Sequence, residues 1–236
     1  EESRKELLAG ISHDLRSPLT SIRAYVEGLL DGVAQTEESK QRYLRTIRTK
    51  AEDIDRLVSQ LFLYSKLDLE GVPMEMRPIR LDEYILGFLE ETVPDSRARG
   101  LGVTADHLAP VTVSADPGQL HRVLANIVEN SVKYRDKDTG HLRITLEESG
   151  RLILADDGPG VPEEALPKLF DAFYRSDPSR KNPAGGSGLG LAIAAKAVQG
   201  MGGAICAVNR PGGGLAIDIT LPKAGGGDAE NPADPG

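Results

Sequence analysis

The stretch NIVENSVKY, residues 126–134, decides how the second half of this chain folds, because it ends a helix with one apolar and one polar face. Asp116 offers an N-cap and Pro117 a first helical position, so the helix is predicted over 117–134. Its buried face comprises residues at helical spacing: Leu120, Leu124, Ile127, Val128 and Ser131. A polar stripe recurs at i, i+4 and i+7: Asn126, Asn130 and Lys133. Amide oxygens and a lysine suit Mg²⁺ and phosphate, although the stripe taken alone could be a solvated face.

Short β patterns surround this helix and predict an α/β sandwich, in which helices cover one face of a single sheet. The strands are predicted at 111–114, 142–148, 151–156, 204–208 and 215–221. Further helices are predicted near 81–93, 162–169 and 188–201. Ser149 and Gly150 separate two of the strands and are a two-residue hairpin signal.

The first 70 residues contain three of the 26 glycines and predict long helices. Their apolar positions step by threes and fours in two runs. These are Leu8, Ile11, Leu15, Pro18, Ile22, Tyr25 and Leu29, flanked by Leu19 and Val26, and then Leu44, Ile47, Ala51, Ile54, Val58 and Leu61. A break at Asp31 and Gly32, with Thr36 as N-cap, predicts an antiparallel hairpin. One hairpin cannot bury this seam, so we predict a homodimeric four-helix bundle; packing against the chain's own second domain is the alternative.

These patterns divide the chain into four segments. Residues 1–70 are the predicted dimerisation hairpin, 71–80 an interdomain linker with two prolines, and 81–223 the α/β domain. Residues 224–236 combine glycine, proline and acidic residues and are expected to be disordered.

Charge and composition restrict the possible partners. A net charge of −8 disfavours nucleic acid, because such a surface repels phosphate backbones, but it leaves a nucleotide possible. A single cysteine excludes an internal disulfide and suits a reducing cytoplasm. No apolar run approaches the ~18 residues that span a bilayer. The chain opens at Glu1 within a helical pattern, so we expect a cytoplasmic fragment whose upstream segment is missing.

His13 is the candidate nucleophile of the first helix. It lies two residues from each of the seam positions Ile11 and Leu15, which predicts an outward-facing side chain. Asp14 follows it, and a carboxylate that holds the proton on one imidazole nitrogen leaves the other free to attack phosphorus. Pro18 removes a helical hydrogen-bond donor beside this pair. A lone surface histidine is otherwise simply a solvated side chain.

Three further stretches complete a predicted nucleotide site. In LILADDGPG, residues 152–160, Asp156 ends an apolar strand face and can only accept hydrogen bonds, so it suits the amino group of adenine. In LFDAFYR, residues 169–175, Arg175 is expected to contact phosphate, and the two phenylalanines also suit a core. GGSGLGL, residues 185–191, places backbone amides before a helix, where anions bind. The glycines of this site are Gly158, Gly160, Gly186, Gly188 and Gly190.

SHDLRSPL, residues 12–19, resembles the phosphoacceptor box of sensor histidine kinases, and NIVENSVKY resembles their N-box. The later stretches resemble the family's F-box, ATP lid and glycine boxes, in the family's order over residues 3–222. The resemblance implies a Bergerat or GHKL-type ATP-binding domain with ATP and Mg²⁺ as cofactors. It also implies that the γ-phosphate passes to His13 and then to an aspartate of a response-regulator receiver domain.

The same resemblance implies roles for single residues. His13 would be the phosphoacceptor, Asp14 its acid–base partner and Asn130 the Mg²⁺ ligand. Other positions near the nucleotide would be Asn126, Lys133, Tyr134 and, within the glycine box, Leu189. Ser17 stands where family members that also dephosphorylate their partner commonly carry threonine or asparagine, which leaves phosphatase activity open.

Other functions use the same ATP-binding fold. ATPases of the Hsp90, gyrase and mismatch-repair type place a water-activating carboxylate four residues before the metal-binding asparagine, and here that position is Asn126. A GHKL-type ATPase is therefore the disfavoured alternative. A serine kinase of this fold would lack the histidine hairpin. A binding-only ATP scaffold is disfavoured by the intact Asn130 and Asp156.

Overall fold

A computed structural model describes residues 2–68, 73–176 and 187–224, and the side chains of residues 2–9, 13 and 68 lie outside that description. The chain begins with two long helices, α1 (Glu2–Leu30) and α2 (Glu37–Asp68), which pack against each other. Tyr25 contacts Tyr43 near the connecting turn, and Leu15 shares a cluster with Leu57 further away. The helices are therefore antiparallel, and the predicted hairpin is confirmed.

Local sequence signals set the turn of this hairpin. The amide of Ser39 donates to Thr36 Oγ1 at 3.1 Å, and the amide of Thr36 donates to Ser39 Oγ at 3.2 Å. This reciprocal capping starts α2 where the sequence predicts it. Beside the turn, a Cβ at Gly28 would lie 2.9 Å from the Tyr43 ring, so glycine lets the two helices approach closely.

The hairpin has almost no core of its own. Among its described side chains only Ala34 and Leu57 are buried. Large apolar residues remain exposed on both helices: Leu19, Val26, Leu30, Leu44, Val58 and Phe62. Most of the predicted seam is thus incompletely covered within one chain.

The second domain contains three α-helices, a 3₁₀ helix and seven strands among the described residues. The helices are α3 (Leu81–Ala98), α4 (Pro117–Tyr134), the 3₁₀ helix (Glu163–Lys168) and α5 (Gly190–Gly200). The strands are β1 (Arg77–Arg80), β2 (Leu101–Leu108), β3 (Thr112–Ala115), β4 (Gly140–Leu146), β5 (Arg151–Asp156), β6 (Ala204–Asn209) and β7 (Leu215–Thr220).

A five-stranded sheet in the order β2-β4-β5-β7-β6 forms the centre of this domain. Strand β2 runs parallel to β4, and the other pairs are antiparallel. Buried and more exposed residues alternate along β4, with Leu142 and Ile144 inside and Arg143 outside. The inner face shares one apolar cluster with α3, α4 and α5. The predicted α/β sandwich is confirmed.

The expectation of a single sheet was wrong, and the predicted interdomain linker at 71–80 includes a strand. Residues Arg77–Arg80 form β1, which pairs antiparallel with β3 in a second, two-stranded sheet. Ile79 is buried opposite Val113, and this contact ties the strand to the domain core. Pro78 is tolerated because a strand at an edge can lack one donor.

Strand β2 was not predicted. Only its first half alternates, with Leu101 and Val103 buried, and its register shifts between Ala105 and His107. Gly102 and the polar residues of its second half are poor strand formers, so the strand depends on pairing with β4 rather than on local propensity.

The ends of α3 and β4 also differ from the prediction. Helix α3 continues through Pro94 to Ala98, and the buried Ser96 bonds back to the Thr92 carbonyl at 2.9 Å. The β4–β5 connection is a four-residue turn, because strand β4 ends at Leu146 rather than at 148. Gly150 adopts a φ of 87° in this turn, a conformation that glycine permits.

The predicted disordered tail lies mostly outside the described residues, which end at Ala224. The amide of Ala224 itself donates to the Thr112 carbonyl at 3.1 Å. Within the described part of the chain, no helix has the length and apolar character needed to cross a bilayer.

Candidate active site

A cavity of about 320 Å³ opens between α4, the loop after β5, the segment 174–176 and the start of α5. Nine of the residues singled out from the sequence line it, although they come from four separate stretches. They are Asn126, Asn130, Lys133, Tyr134, Asp156, Gly160, Arg175, Gly188 and Gly190. The fold therefore brings the predicted nucleotide residues into one place.

The carboxylate of Asp156 is fixed at the wall of this cavity by donors from three directions. Its Oδ1 accepts from the amide of Gly158 at 3.0 Å and from the amide of Leu215 at 2.9 Å. The hydroxyl of Ser131 donates to Oδ2 at 3.4 Å, and Ser131 is itself buried. An acceptor held in this way can receive one further donor from a bound ligand without reorganising.

The neighbouring Asp157 has a different role. Its Oδ1 accepts from the amide of His141 at 2.7 Å, and Lys137 Nζ lies 3.3 Å from its Oδ2. Burial alone would raise the pKa of Asp157, but these two donors outweigh it and lower the pKa below the usual value. Asp157 does not line the cavity, so of these two neighbouring aspartates Asp156 is the one that faces a ligand.

Glu129 also lines the cavity, and sequence reasoning missed it. Its carboxylate accepts from Arg99 at 2.8 Å and lies 3.3 Å from Lys133 Nζ. Burial would raise the pKa of Glu129, but the Arg99 hydrogen bond and the Lys133 charge outweigh it and lower the pKa. The i, i+4 spacing to Lys133 was the available signal, whereas the contact with Arg99 spans 30 residues of sequence.

The polar groups around Asn130 fit a metal ion that is coordinated partly by the protein and partly by a bound ligand. Among the described residues no cluster of three or more His, Cys, Asp or Glu side chains could hold a metal. Asn130 places a side-chain amide at the cavity wall, whereas the carboxylate of Glu129 already forms ion pairs with Arg99 and Lys133. Mg²⁺ usually takes one or two protein oxygens and completes its shell with phosphates and water, which this arrangement allows.

Several predicted residues lie elsewhere. Gly158 does not line the cavity but contributes through its amide bond to Asp156. The Leu189 side chain is fully buried in a cluster with Leu57 and Ile193, because it joins α5 to the hairpin. Leu189 therefore does not line the cavity. Gly186 and the side chain of His13 lie outside the described residues.

The helix that carries His13 packs beside the cavity. A Cβ at Gly10 would lie 2.7 Å from the ring of Phe173, which precedes the cavity residues Tyr174 and Arg175. Phe173 adopts a φ of 63°, a conformation uncommon for a residue other than glycine. Leu15 joins Phe173 in the apolar cluster between the two domains. Asp14 is half-buried and does not line the cavity.

The second helix of the hairpin contributes a residue to the cavity wall. Gln60 of α2 lines it, and Gln60 Oε1 accepts from the Ser187 hydroxyl at 2.9 Å. The hairpin thus packs against the α/β domain of the same chain, which is the alternative to the dimeric bundle given in the sequence analysis. That packing leaves Leu19, Leu44 and Val58 exposed, so it does not cover the seam.

Two family models match separate parts of the chain. Residues 3–70 match the model described as the His Kinase A (phospho-acceptor) domain. Residues 115–225 match the model described as Histidine kinase-, DNA gyrase B-, and HSP90-like ATPase. A phosphoacceptor hairpin joined to a sandwich of this type defines the catalytic core of a histidine kinase.

Curated relatives extend the match over nearly the whole chain. It is 32% identical over 229 residues to the sensor histidine kinase WalK of Bacillus subtilis (strain 168), covering 94% of this chain and 37% of that protein. It is 34% identical over 229 residues to the signal transduction histidine-protein kinase BaeS of Escherichia coli (strain K12), covering 94% and 47%. The chain belongs to the sensor histidine kinase family of two-component systems and spans less than half of either relative.

Among solved structures, the chain is similar in fold to the histidine kinase ThkA in complex with the response regulator protein TrrA. The TM-score is 0.74 at 23% identity, with 93% of this chain and 61% of that chain covered. At this identity the similarity concerns the fold alone.

Proposed function

We propose that this chain is an autophosphorylating protein histidine kinase that binds ATP in the cavity and transfers the γ-phosphate to His13. One observation carries the proposal: the fixed carboxylate of Asp156 and the polar side of α4 line a single cavity, and the His13 helix packs beside it at Gly10. Incubating the chain with γ-labelled ATP and mapping the labelled residue tests it directly.

The adenine end of the ligand belongs at Asp156. Ser131 and two backbone amides hold this carboxylate in place, and an ionised carboxylate accepts the adenine amino group but repels a guanine carbonyl. The adjacent apolar wall includes Val161, Leu191 and Leu215, which suit a flat base.

The phosphate end belongs at Asn130, Lys133 and Arg175, which line the same cavity. Lys133 and Arg175 supply positive charge for phosphate oxygens. Asn130 would hold Mg²⁺, which when bound neutralises charge on the transferred phosphoryl group. The start of α5 at Gly190 adds helix-terminal backbone amides on the same side.

The transfer step needs a neutral imidazole. A ring nitrogen of His13 forms a bond to the γ-phosphorus while the bond from that phosphorus to the bridging oxygen of ADP breaks. The proton on the other ring nitrogen is held by Asp14, whose carboxylate stabilises the cation that forms. In a second step, an aspartate of a response-regulator receiver domain takes the phosphoryl group from His13.

The assignment of a response regulator as partner is supported by family membership and by the ThkA structure, which contains such a protein. Because the proposed substrate is ATP, we assign the reaction to the cytoplasm. The chain would then be the cytoplasmic part of a membrane-anchored sensor.

Hydrolysis of ATP to free phosphate is the weaker alternative. It requires a carboxylate that activates water, and the position used by ATPases of this fold is Asn126. Glu129 is a carboxylate in the cavity, but its ion pairs with Arg99 and Lys133 lower its pKa and make it a poor base.

We further propose that the hairpin dimerises into a four-helix bundle. Leu19, Leu44 and Val58 are about half exposed, with values of 53%, 49% and 51%. Burying a leucine or valine contributes roughly 1.5–3 kcal/mol, so several such residues from each of two hairpins suffice for a stable dimer. Exposed apolar residues on both helices give a second copy the matching surface.

Val58→Glu should convert the dimer into monomers, because the new charge would be buried in the bundle at a cost of several kcal/mol. Light scattering should give twice the chain mass of 25.3 kDa for the wild type and that mass for the variant. Ala24→Glu is the matched control, since Ala24 is exposed and lies outside the seam. A wild-type chain that is monomeric at micromolar concentration would contradict the bundle.

Asp156→Asn should weaken ATP binding about 10- to 150-fold, because a charge-assisted hydrogen bond to adenine is worth roughly 1.5–3 kcal/mol. Asparagine can keep Oδ1 on its two backbone amides and place Nδ2 against the Ser131 hydroxyl, so the unliganded fold should persist. Calorimetry measures the affinity, and thermal unfolding of the free chain checks the fold. Unchanged affinity in a folded variant would remove Asp156 from the adenine site.

A further inference from the structure

Asn209, the last residue of β6, forms hydrogen bonds with the loop that follows Asp156. Asn209 Oδ1 accepts from the amide of Val161 at 3.0 Å, and its Nδ2 donates to the Val161 carbonyl at 2.7 Å. One side-chain amide therefore satisfies both backbone groups of a single residue. The Asn209 Nδ2 also lies 3.4 Å from Glu163 Oε1.

The loop is shaped around this amide. Gly160 has a φ of 71°, and a Cβ there would lie 2.8 Å from Asn209 Oδ1. Glycine is required at this position both for its conformation and for the close approach of the side chain. Pro159, Gly160 and Val161 all line the cavity, so the Asn209 contact fixes a stretch of its wall.

The next residues of the same turn contact Asp156. Arg210 donates to the Asp156 carbonyl at 2.6 Å, and the amide of Leu215 donates to Asp156 Oδ1 at 2.9 Å. The adjoining ends of β6 and β7, with the turn between them, thus contact both ends of the loop, at Asp156 and at Val161.

We propose that Asn209 is a positioning residue for nucleotide binding: it fixes Val161, and through Val161 the wall of the cavity beside Asp156. This inference rests on the proposed function, because it assumes that the cavity binds an adenine nucleotide. Asn209 itself does not line the cavity, so it acts through the loop and not by touching the ligand.

Asn209→Asp separates this role from packing, because the side chain keeps its shape. At pH 8 the new carboxylate can accept from the Val161 amide but faces the Val161 carbonyl and Glu163 without a proton to donate. We expect ADP with Mg²⁺ to bind to the variant about 10-fold more weakly than to the wild type. One hydrogen bond to the backbone is lost and electrostatic repulsion is added, which together are worth about this factor.

Acid should rescue this variant. The charged groups that the contacts place around residue 209 are Glu163, Arg210 and, across the loop, Asp156. Protonation of the new carboxylate restores a donor to the Val161 carbonyl. An ordinary aspartate has a pKa of about 4, but the Val161 carbonyl and the Glu163 carboxylate beside residue 209 favour its protonated form. The ratio of variant to wild-type Kd should therefore fall as the pH is lowered from 8 to 5. Taking the ratio at each pH removes titrations that the two proteins share.

Two further variants complete the test. Glu163→Gln keeps both Val161 bonds and should bind ADP like the wild type at both pH values. Asn209→Ser, which shortens the side chain without adding a charge, should still weaken ADP binding if the aspartate variant fails to fold. Equal affinity of wild type and Asn209 variants at pH 8, or a loss that acid does not reverse, overturns the inference. A wild-type chain that does not bind ADP contradicts the proposed function instead.

Discussion

His13→Gln should reduce incorporation of the γ-phosphate of ATP to background, a loss of at least about 100-fold, because glutamine offers no nucleophilic nitrogen. The label on the wild-type chain should be acid-labile and alkali-stable, as expected of a phosphoramidate. ATP affinity should stay nearly unchanged, because the described residues that line the cavity come from the α/β domain and from Gln60. Filter assays of labelled protein and calorimetry measure the two quantities.

His107→Gln is the matched control for this experiment. His107 is exposed on β2, and the same substitution there should leave labelling unchanged. Label at the wild-type level in the His13 variant would show that another residue is the acceptor. Loss of both labelling and ATP binding would instead indicate that the substitution disturbs the contact of α1 with the second domain.

Asn130→Asp should lower the rate of autophosphorylation by at least about 100-fold, since groups that stabilise charge on a transferred phosphoryl contribute several kcal/mol. Asn130 lines the cavity one residue from Glu129, so the new carboxylate places a second negative charge beside the triphosphate. The amide oxygen proposed to hold Mg²⁺ also becomes part of an acid. Initial rates at saturating ATP and a titration with Mg²⁺ measure the effect.

Gln199→Glu makes the same amide-to-acid change at an exposed position near the end of α5, outside the cavity lining. Its rate should equal that of the wild type. An Asn130→Asp chain with normal rate and normal Mg²⁺ dependence would mean that Asn130 does not serve the phosphate end of the site.

The parts of the fold that local signals determine were predictable from sequence. Helix α4 runs from Pro117 to Tyr134, as predicted, because the Asp116 side chain accepts from the amide of Gln119 at 3.0 Å and Pro117 opens the helix. The start of α2 at the Thr36 cap is a second example. Nine residues of the candidate site were also singled out from the sequence, and the structure brings them into one cavity.

The parts that depend on distant partners were not predictable. Strand β1 forms because Ile79 packs opposite Val113, and nothing in residues 71–80 alone indicates that pairing. Glu129 bonds to Arg99 across 30 residues, and Asn209 to Val161 across 48. From the sequence alone, polar side chains such as these are expected to be solvated. Their role can be recognised only in the folded chain, where the distant hydrogen-bond partner lies next to them.

The contribution of Gln60 to the cavity wall has a thermodynamic consequence. Among the lining residues that the structure describes, Gln60 belongs to the hairpin and the others to the α/β domain, so ligand occupancy and the docking of the two domains are linked equilibria. If a nucleotide binds more tightly when Gln60 is in place, it must stabilise the docked arrangement by the same factor. A movement of α2 that disfavours the docked arrangement would then lower nucleotide affinity directly. No separate relay between the hairpin and the cavity is needed.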